Sequence, residues 1–559
     1  MKSSAPMAAT VAAWAVLLGT GCLQGPGSVP VDPFKPADQA LGERIFRDPR
    51  FSQWFATHST SMNAFPTPGD PTVETSANAL GPALPGSLAG AAMACSLCHL
   101  VEQDSNPDGT NMRAYADYAQ RSPIPDRGDG QSTTPRNSPP MVDALVPRDG
   151  GVFLHLDGQF VTPGDLIAST FTGRNLGWLP TEYAQALHHL AQVIREDDGQ
   201  PFQGPDPAGM SYAVAFLAED TRILARLRLP VEDRLDVHAA TDQEVLSAVS
   251  TVVAAYINGL RYSRDQTGAY NFSPFDVFLK VNGLPRMPDE GEAPIAYARR
   301  LRTAVESLSA PQFVTPGMGS YIHHSEPFAF GVTELQGLEV FLAEPLGPFR
   351  DPGVGGGGVG NCLACHTPPD FTDHLFHNTG SSQVEYDNLH GAGAFLALAV
   401  PDLATRSANP AAYLPESVAN PTAIGRFRHA ASAEDPSLAD LGLWNVFANA
   451  DMPNPQAALL DVLCPAEPAT DCSTATLLPQ ALAVYKTPGL RDLDDSAPYL
   501  HNGSAQNFQA VLAQYQKVSE LQRAGILRNG DARLAGISLS SADVATLSAF
   551  LHSLAEDYQ

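Results

Sequence analysis

The sequence predicts a mainly α-helical, loop-rich fold built in two halves. Three observations carry this. The pentapeptide Cys95-Ser96-Leu97-Cys98-His99 returns as Cys362-Leu363-Ala364-Cys365-His366, one copy in each half. Apolar residues recur at every third or fourth position in several segments, and no stretch gives a strong alternating strand signal. The chain carries 48 Pro and 46 Gly in 559 residues, which breaks it into many short elements and loops.

The repeated Cys-x-x-Cys-His pattern is the attachment pattern of c-type haem. Two thiols three residues apart reach the two vinyl groups of a porphyrin, and the following histidine lies under the iron as proximal ligand. A single copy would also suit a zinc half-site or a redox dithiol. Two copies in a chain of seven cysteines favour haem. The expected cofactors are therefore two covalently bound haems, on Cys95, Cys98 and His99 and on Cys362, Cys365 and His366. Compact folds of short helices around haem fit the Pro and Gly content.

Composition narrows the partners. Lys and Arg number 33 against 60 Asp and Glu, a formal net charge of −27. That excludes a nucleic-acid partner and favours small cationic electron carriers. The N-terminus reads as an export signal: Lys2, an apolar run from Val11 to Leu18, then Gly19-Thr20-Gly21-Cys22. A cut before Cys22 resembles a bacterial lipoprotein signal, although Gly19 stands where such signals usually place Leu. Lipidation of Cys22 would tie the protein to a membrane, expected to be the outer one, facing periplasm or cell surface. No later stretch is long and apolar enough to span a bilayer.

Along the chain, 1–22 is the expected signal and 23–35 a tether. Helical spacing appears at 41–46, 183–196, 211–229, 241–260, 294–309 and 333–342. A last helix over 540–556 opens on Ser540-Ser541-Ala542-Asp543, a helix-start signal. Segments 59–90 and 101–150 read as loop. The connection 320–330 suggests a boundary near 325, giving domains 36–325 and 326–559.

Several motifs, in order, resemble the bacterial di-haem cytochrome c peroxidase family, which includes MauG. They are Leu41-Gly42-Glu43-Arg44-Ile45-Phe46, Arg136-Asn137-Ser138-Pro139-Pro140, Leu156-Asp157-Gly158-Gln159 and Ser273-Pro274-Phe275-Asp276. The second haem motif continues to Phe371-Thr372-Asp373-His374-Leu375-Phe376-His377-Asn378-Thr379-Gly380. The set closes with Tyr485-Lys486-Thr487-Pro488-Gly489-Leu490-Arg491 and Ala497-Pro498-Tyr499-Leu500-His501-Asn502-Gly503. The resemblance implies two cytochrome c-like haem domains facing each other. It also implies reduction of hydrogen peroxide, or activation of peroxide or oxygen, at the first haem. Electrons would come through the second from a small cytochrome or other donor.

The chain departs from that family at telling places. Its peroxidases carry a capping histidine between the first haem motif and the Arg-Asn segment, and residues 100–135 here contain none. The first iron is therefore expected to be open, as in MauG. The family's Trp, Gln and Glu fall, counted without gaps, on Leu156, Leu166 and Leu176, which move no protons. His155, Arg174 and Glu182 are the nearby substitutes for catalysis. At the second iron the family's ligand position holds Ala483. Met452, the single methionine after His366, is the first candidate for sixth ligand, with Tyr485 and His501 as alternatives. The family's calcium is doubtful: Asn137 matches one contributor, but the others fall on Phe447 and Asn449. Cys464 and Cys472 are expected to pair in an oxidising compartment.

Two function classes stay open: a redox enzyme, including oxidation of a larger organic or protein substrate as MauG does, and a non-catalytic electron carrier or haem sensor. The open first iron favours the enzyme.

Overall fold

The structure is a computed structural model. It describes residues 35–64, 94–99, 121–122, 124–146, 148, 151–200, 210–219, 227–321, 326–345, 358–464, 471–494 and 496–556. The expected signal, Cys22 and all but the last residue of the tether lie outside the described residues.

Among the described residues eleven helices have eight or more residues. They are α1 Ala37–Phe46, α2 Pro163–Phe171, α3 Tyr183–Glu196, α4 Asp242–Gly259, α5 Pro274–Val281 and α6 Pro294–Glu306. Then come α7 Val332–Leu342, α8 Ser381–His390, α9 Gln456–Leu463, α10 Phe508–Arg523 and α11 Ser541–His552. Their starts follow from sequence. Thr241 Oγ1 caps α4 by accepting from Glu244 N, and Glu244 returns the bond to Thr241 N. Ser273 and Asp276 do the same for α5, and Ser540 and Asp543 for α11. Among the described residues the strand content is one antiparallel pair, β1 Phe376–His377 with β2 Tyr485–Lys486, besides isolated bridges.

Two helix crossings frame the two haem motifs, and they share one construction. α1 crosses α4 at Gly42, where an added Cβ would stand 2.0 Å from the Val252 carbonyl oxygen and 2.9 Å from the Tyr256 Cβ. α7 crosses α11 at Gly337, where a Cβ would stand 2.0 Å from the Thr546 carbonyl oxygen and 2.7 Å from the Phe550 Cβ. In each case a phenylalanine follows the glycine by four residues, Phe46 and Phe341. Phe46 lies on Tyr256 with ring centroids 5.2 Å apart, and Phe341 lies on Phe550 at the same 5.2 Å. Glycine lets the two backbones touch, and the aromatic pair fills the next turn. The duplication seen in the haem motifs extends to their supporting helices.

Core packing groups the helices into clusters. One core cluster joins Leu41, Phe171, Leu190, Val249 and Tyr256. A second joins Phe275, Phe278, Tyr297 and Leu301 to Leu338, Phe341, Leu363 and Phe550. Helices α5 and α6, read in sequence as part of the first domain, thus pack with the second haem motif. The reason is local: α5 and α6 present Phe275, Phe278, Tyr297 and Leu301, which find their apolar partners on α7 and α11. A third cluster, around Phe427, Trp444 and Leu459, fills the insert between the second motif and β2. Cys464 and Cys472 are joined there by a disulfide, as the sequence suggests.

Gly42→Ala and Gly337→Ala should each destabilise the protein by about 1–3 kcal/mol, because the methyl overlaps main chain that cannot move aside. Urea unfolding of the two variants checks this. An unchanged midpoint would mean that the crossing is looser than described.

Candidate functional site

Both Cys-x-x-Cys-His motifs form the same turn. His99 N donates to Cys95 O at 3.0 Å, and His366 N donates to Cys362 O at 2.8 Å. Each imidazole is then oriented by a backbone carbonyl. His99 Nδ1 donates to Pro139 O at 3.0 Å, and His366 Nδ1 donates to Phe371 O at 2.9 Å. A carbonyl only accepts, so both rings carry their proton on Nδ1 and keep Nε2 as a free lone pair. Burial lowers the pKa of both histidines, which holds them neutral. Burial also pushes the thiols of Cys95, Cys98 and Cys362 up to about 12. Two neutral thiols beside an imidazole whose Nε2 lone pair is free suit thioether bonds to haem with the imidazole under the iron. None of the four cysteines is bridged. The donor sets therefore fit two haems.

Each motif opens onto a cavity. The first cavity, about 690 Å³, is lined by Cys95, Cys98 and His99 on one side and by α2 and its flanking turns on the other. Leu156, Leu166 and Leu176 all line it, so the gapless count places them in the wall. The second cavity, about 300 Å³, is lined by Cys362, Cys365 and His366, with Tyr485, His501 and Tyr515. The two cavities share a wall that includes His99, Pro139, Leu156 and Lys486. The wall is built by β2, which pairs with β1 on one side. Lys486 N also donates to Leu156 O at 2.8 Å.

A buried charge cluster stands behind that wall. Arg136 Nε and Nη2 donate to Asp440 at 2.6 and 2.8 Å, and Arg136 Nη1 lies 2.6 Å from Asp157. Arg428 Nη2 lies 3.5 Å from Asp157 and donates to Gln159 Oε1 at 2.6 Å. Desolvation opposes the Asp157 charge, but Arg136 and Arg428 outweigh it and hold the carboxylate far below its ordinary range.

The expected catalytic substitutes separate. His155 lines the first cavity, in a left-handed turn (φ 61°), with Nδ1 3.3 Å from Gln159 Oε1. Burial lowers its pKa to about 4, against the pull of Asp157. Arg174 also lines the cavity, but its Nη2 is held by Asp129 at 3.0 Å and by Gln131 O at 3.2 Å. Glu182 is not among the lining residues. It pairs with Arg127 at 2.7 Å and accepts from Leu179 N at 2.9 Å, closing the turn before α3. The structure thus corrects the reading of Glu182, which is a structural ion pair.

Met452 is the second correction. It lines the first cavity and is absent from the lining of the second, because the insert carrying it folds back over α2. Asn454 Nδ2 donates to Asp165 Oδ2 there at 3.2 Å. Tyr485 and His501 do line the second cavity, stacked at 3.8 Å. The Tyr485 hydroxyl is held by Ser382 at 2.9 Å and by Asp440 O at 3.0 Å. His501 Nε2 is buried without a hydrogen-bond partner among the described residues.

For calcium, the Asn137 side chain donates to Pro498 O and accepts from Ser138 N at 2.9 Å. Asn449 Nδ2 donates to Asn445 O at 3.1 Å, and its Oδ1 accepts from Asp451 N at 2.9 Å. Among the described residues one metal-like grouping occurs, Cys365 with His377 and Asp531. Both nitrogens of His377 are taken, by Asp373 at 2.8 Å and Asp531 at 2.7 Å, and Cys365 belongs to the haem motif. Sequence reading missed Arg428 and Glu416 as residues lining the first cavity, and Asp157 as a member of the charge cluster behind its wall. Asp157 lay inside a quoted motif, whereas Arg428 and Glu416 carry no local signal.

No family model and no curated protein matches the chain. Solved structures do. One is a MauG-like protein associated with microbial copper homeostasis, at 16% identity over 98% of this chain and 96% of that one, with a TM-score of 0.41. Another is the diheme peroxidase BthA from Burkholderia thailandensis, at 15% identity over 96% and 92%, with a TM-score of 0.37. These neighbours are of the di-haem peroxidase and MauG-like family that the sequence motifs resemble. No described helix is long and apolar enough to cross a membrane.

His377 offers a pH test. Burial opposes its charge, but hydrogen bonds to Asp373 and Asp531 outweigh this and hold its pKa above the ordinary imidazole range. A raised imidazole pKa contributes stability fully below the unfolded value and loses it as pH rises through the folded one. His377→Gln should therefore cost about 2 kcal/mol near pH 6. The difference from wild type should shrink as pH rises from there through the alkaline range. Urea midpoints across that range check it, and a constant difference would show a neutral ring.

Proposed function

We propose that the protein is a di-haem c-type redox enzyme of the cell envelope. It reduces hydrogen peroxide, or activates peroxide or oxygen, at the first haem, and electrons reach that haem through the second. The observation that carries this reading is the pair of oriented histidines, His99 and His366, each heading a cavity, with His99 itself on the wall that the two cavities share. Haem bound there supplies an iron that takes a small ligand and exchanges electrons. The chain's residues do the rest. Pro139 O and Phe371 O orient the proximal rings, and Leu156, Leu166 and Leu176 exclude water from the first cavity. Two cytochrome c-like units facing each other across the shared wall complete the arrangement. Lipid on Cys22 holds the protein at a membrane, and the charge of −27 favours a small cationic donor.

A second reading has one observation in its favour. The three leucines give peroxide no proton at the family's usual place, which suits an electron carrier or haem sensor. The alternative of a larger organic or protein substrate, as for MauG, stays within the enzyme reading.

Haem content decides the cofactor assignment. Cys95→Ala with Cys98→Ala, and Cys362→Ala with Cys365→Ala, should each leave about one haem per chain against about two in wild type by pyridine haemochrome. Unchanged content in either would refute it. Electron paramagnetic resonance decides between the two readings. The oxidised wild type should show one high-spin haem, and the reduced protein should bind carbon monoxide at one site. A wholly low-spin spectrum would leave the carrier reading.

A further inference from the structure

The first cavity has one carboxyl group that the sequence gives no reason to place there. Glu416 lies in the insert of the second half, far in sequence from α2, yet it lines the same cavity as His99. Its backbone is fixed on both sides. Leu414 before it is buried and accepts from Gly425 N at 3.1 Å. Ser417 after it closes a turn with Asn420, and its hydroxyl donates to Asp451 Oδ2 at 2.8 Å. Two apolar side chains on this segment, Val418 and Ile424, line the cavity while remaining 61% and 53% exposed. The segment thus forms a rim between the cavity and solvent, with Glu416 on it.

We propose that Glu416 is the group that moves the proton between the two oxygens of hydrogen peroxide in the first cavity. The inference rests on the reading of that cavity as a peroxide site. Glu416 takes a proton from one peroxide oxygen and delivers it to the other. The O–O bond breaks with its electron pair going to the protonated oxygen, which leaves as water. The oxygen left behind becomes a second water with two electrons from the external one-electron donor and two protons from solvent.

The other titratable groups fit this task less well. Arg174 and Asp129 face Glu416 and are paired with each other at 3.0 Å, and Arg174 cannot give up its proton. Asp451 is engaged by Ser417, and His429 Nε2 bonds Ile424 O at 2.9 Å. His155 is moved by burial to about 4, away from neutrality, whereas burial raises Glu416 towards it. A proton carrier works best when its pKa lies near the working pH.

Hydrogen cyanide gives a test without turnover, because it must lose a proton as cyanide binds ferric haem. In the holoprotein, Glu416→Gln should slow cyanide association and peroxide consumption by about 100-fold. It should also remove an ionisation above the ordinary carboxylate range from the pH profile of cyanide association. Glu416→Asp should retain that ionisation. Unchanged rates and profile in Glu416→Gln, at full haem content, would overturn the proposal. Should Glu416→Gln fail to load haem, the wild-type profile decides: a flat profile through that range overturns the proposal. A wild type that binds neither cyanide nor peroxide would instead overturn the reading of the cavity itself.

Discussion

Arg136 holds together what the rest of the site depends on. Its guanidinium is buried, and three contacts compensate it: two to Asp440 and one to Asp157. Desolvating such a group costs several kcal/mol, and the cost is met only when its partners are already in place. Those partners come from distant parts of the chain. Three residues after Arg136, Pro139 O takes the Nδ1 proton of His99. One residue before Asp157, Leu156 lines both cavities. The cluster that neutralises one arginine thereby sets the His99 ring and the wall between the two cavities.

The same logic explains what could be read in the sequence. The haem motifs are local: five consecutive residues make one turn, and nothing distant is needed to recognise them. The helices over 183–196, 241–260, 294–309 and 333–342 were legible for the same reason, since their periodicity is intrinsic, and the second also has its capping box in adjacent residues. In the segment 211–229, of which 220–226 lie outside the described residues, an α-helix runs over Tyr212–Leu217. Ser211 caps it, and it ends at Ala218 in a left-handed conformation that sequence periodicity does not report. The place of Met452 and the role of Glu182 were not legible. Both depend on which distant segment folds over α2 and on which arginine stands within reach. The loop 320–330 is conspicuous in sequence, whereas the packing partners of α5 and α6 are decided by aromatic contacts that sequence does not report. Phe275 and Phe278 lie against Phe330, the latter stacked at 4.1 Å.

Burial acts in opposite directions on His155 and Glu416, two of the titratable groups that line the first cavity. Desolvation disfavours charge, so it lowers a histidine and raises a carboxylic acid. His155 and Glu416 are thereby driven past each other, with the imidazole fixed neutral and the carboxyl group brought closer to service near neutral pH. A wall of leucines intensifies the effect, because it removes the water that would otherwise stabilise either ion. Losing polar side chains at three positions thus alters the acid–base character of what remains. The chemistry moves from the side of α2 to the rim contributed by the other half.

The shared wall carries the last consequence. Where the resembled family places an indole, this chain has Leu156, an aliphatic side chain with no ring to bear an unpaired electron. Contact across the wall is instead made by the backbone, through the 2.8 Å hydrogen bond from Lys486 N to Leu156 O. Lys486 is held on the same wall by donating from Nζ to Phe153 O at 2.8 Å, and burial lowers its pKa to about 8. An ammonium group on the wall common to both cavities responds to the charge on either side. Under the di-haem reading proposed above, oxidising equivalents gathered at one haem would meet an aliphatic partition bearing one cation, which favours keeping them on the haems over storing them on the protein between.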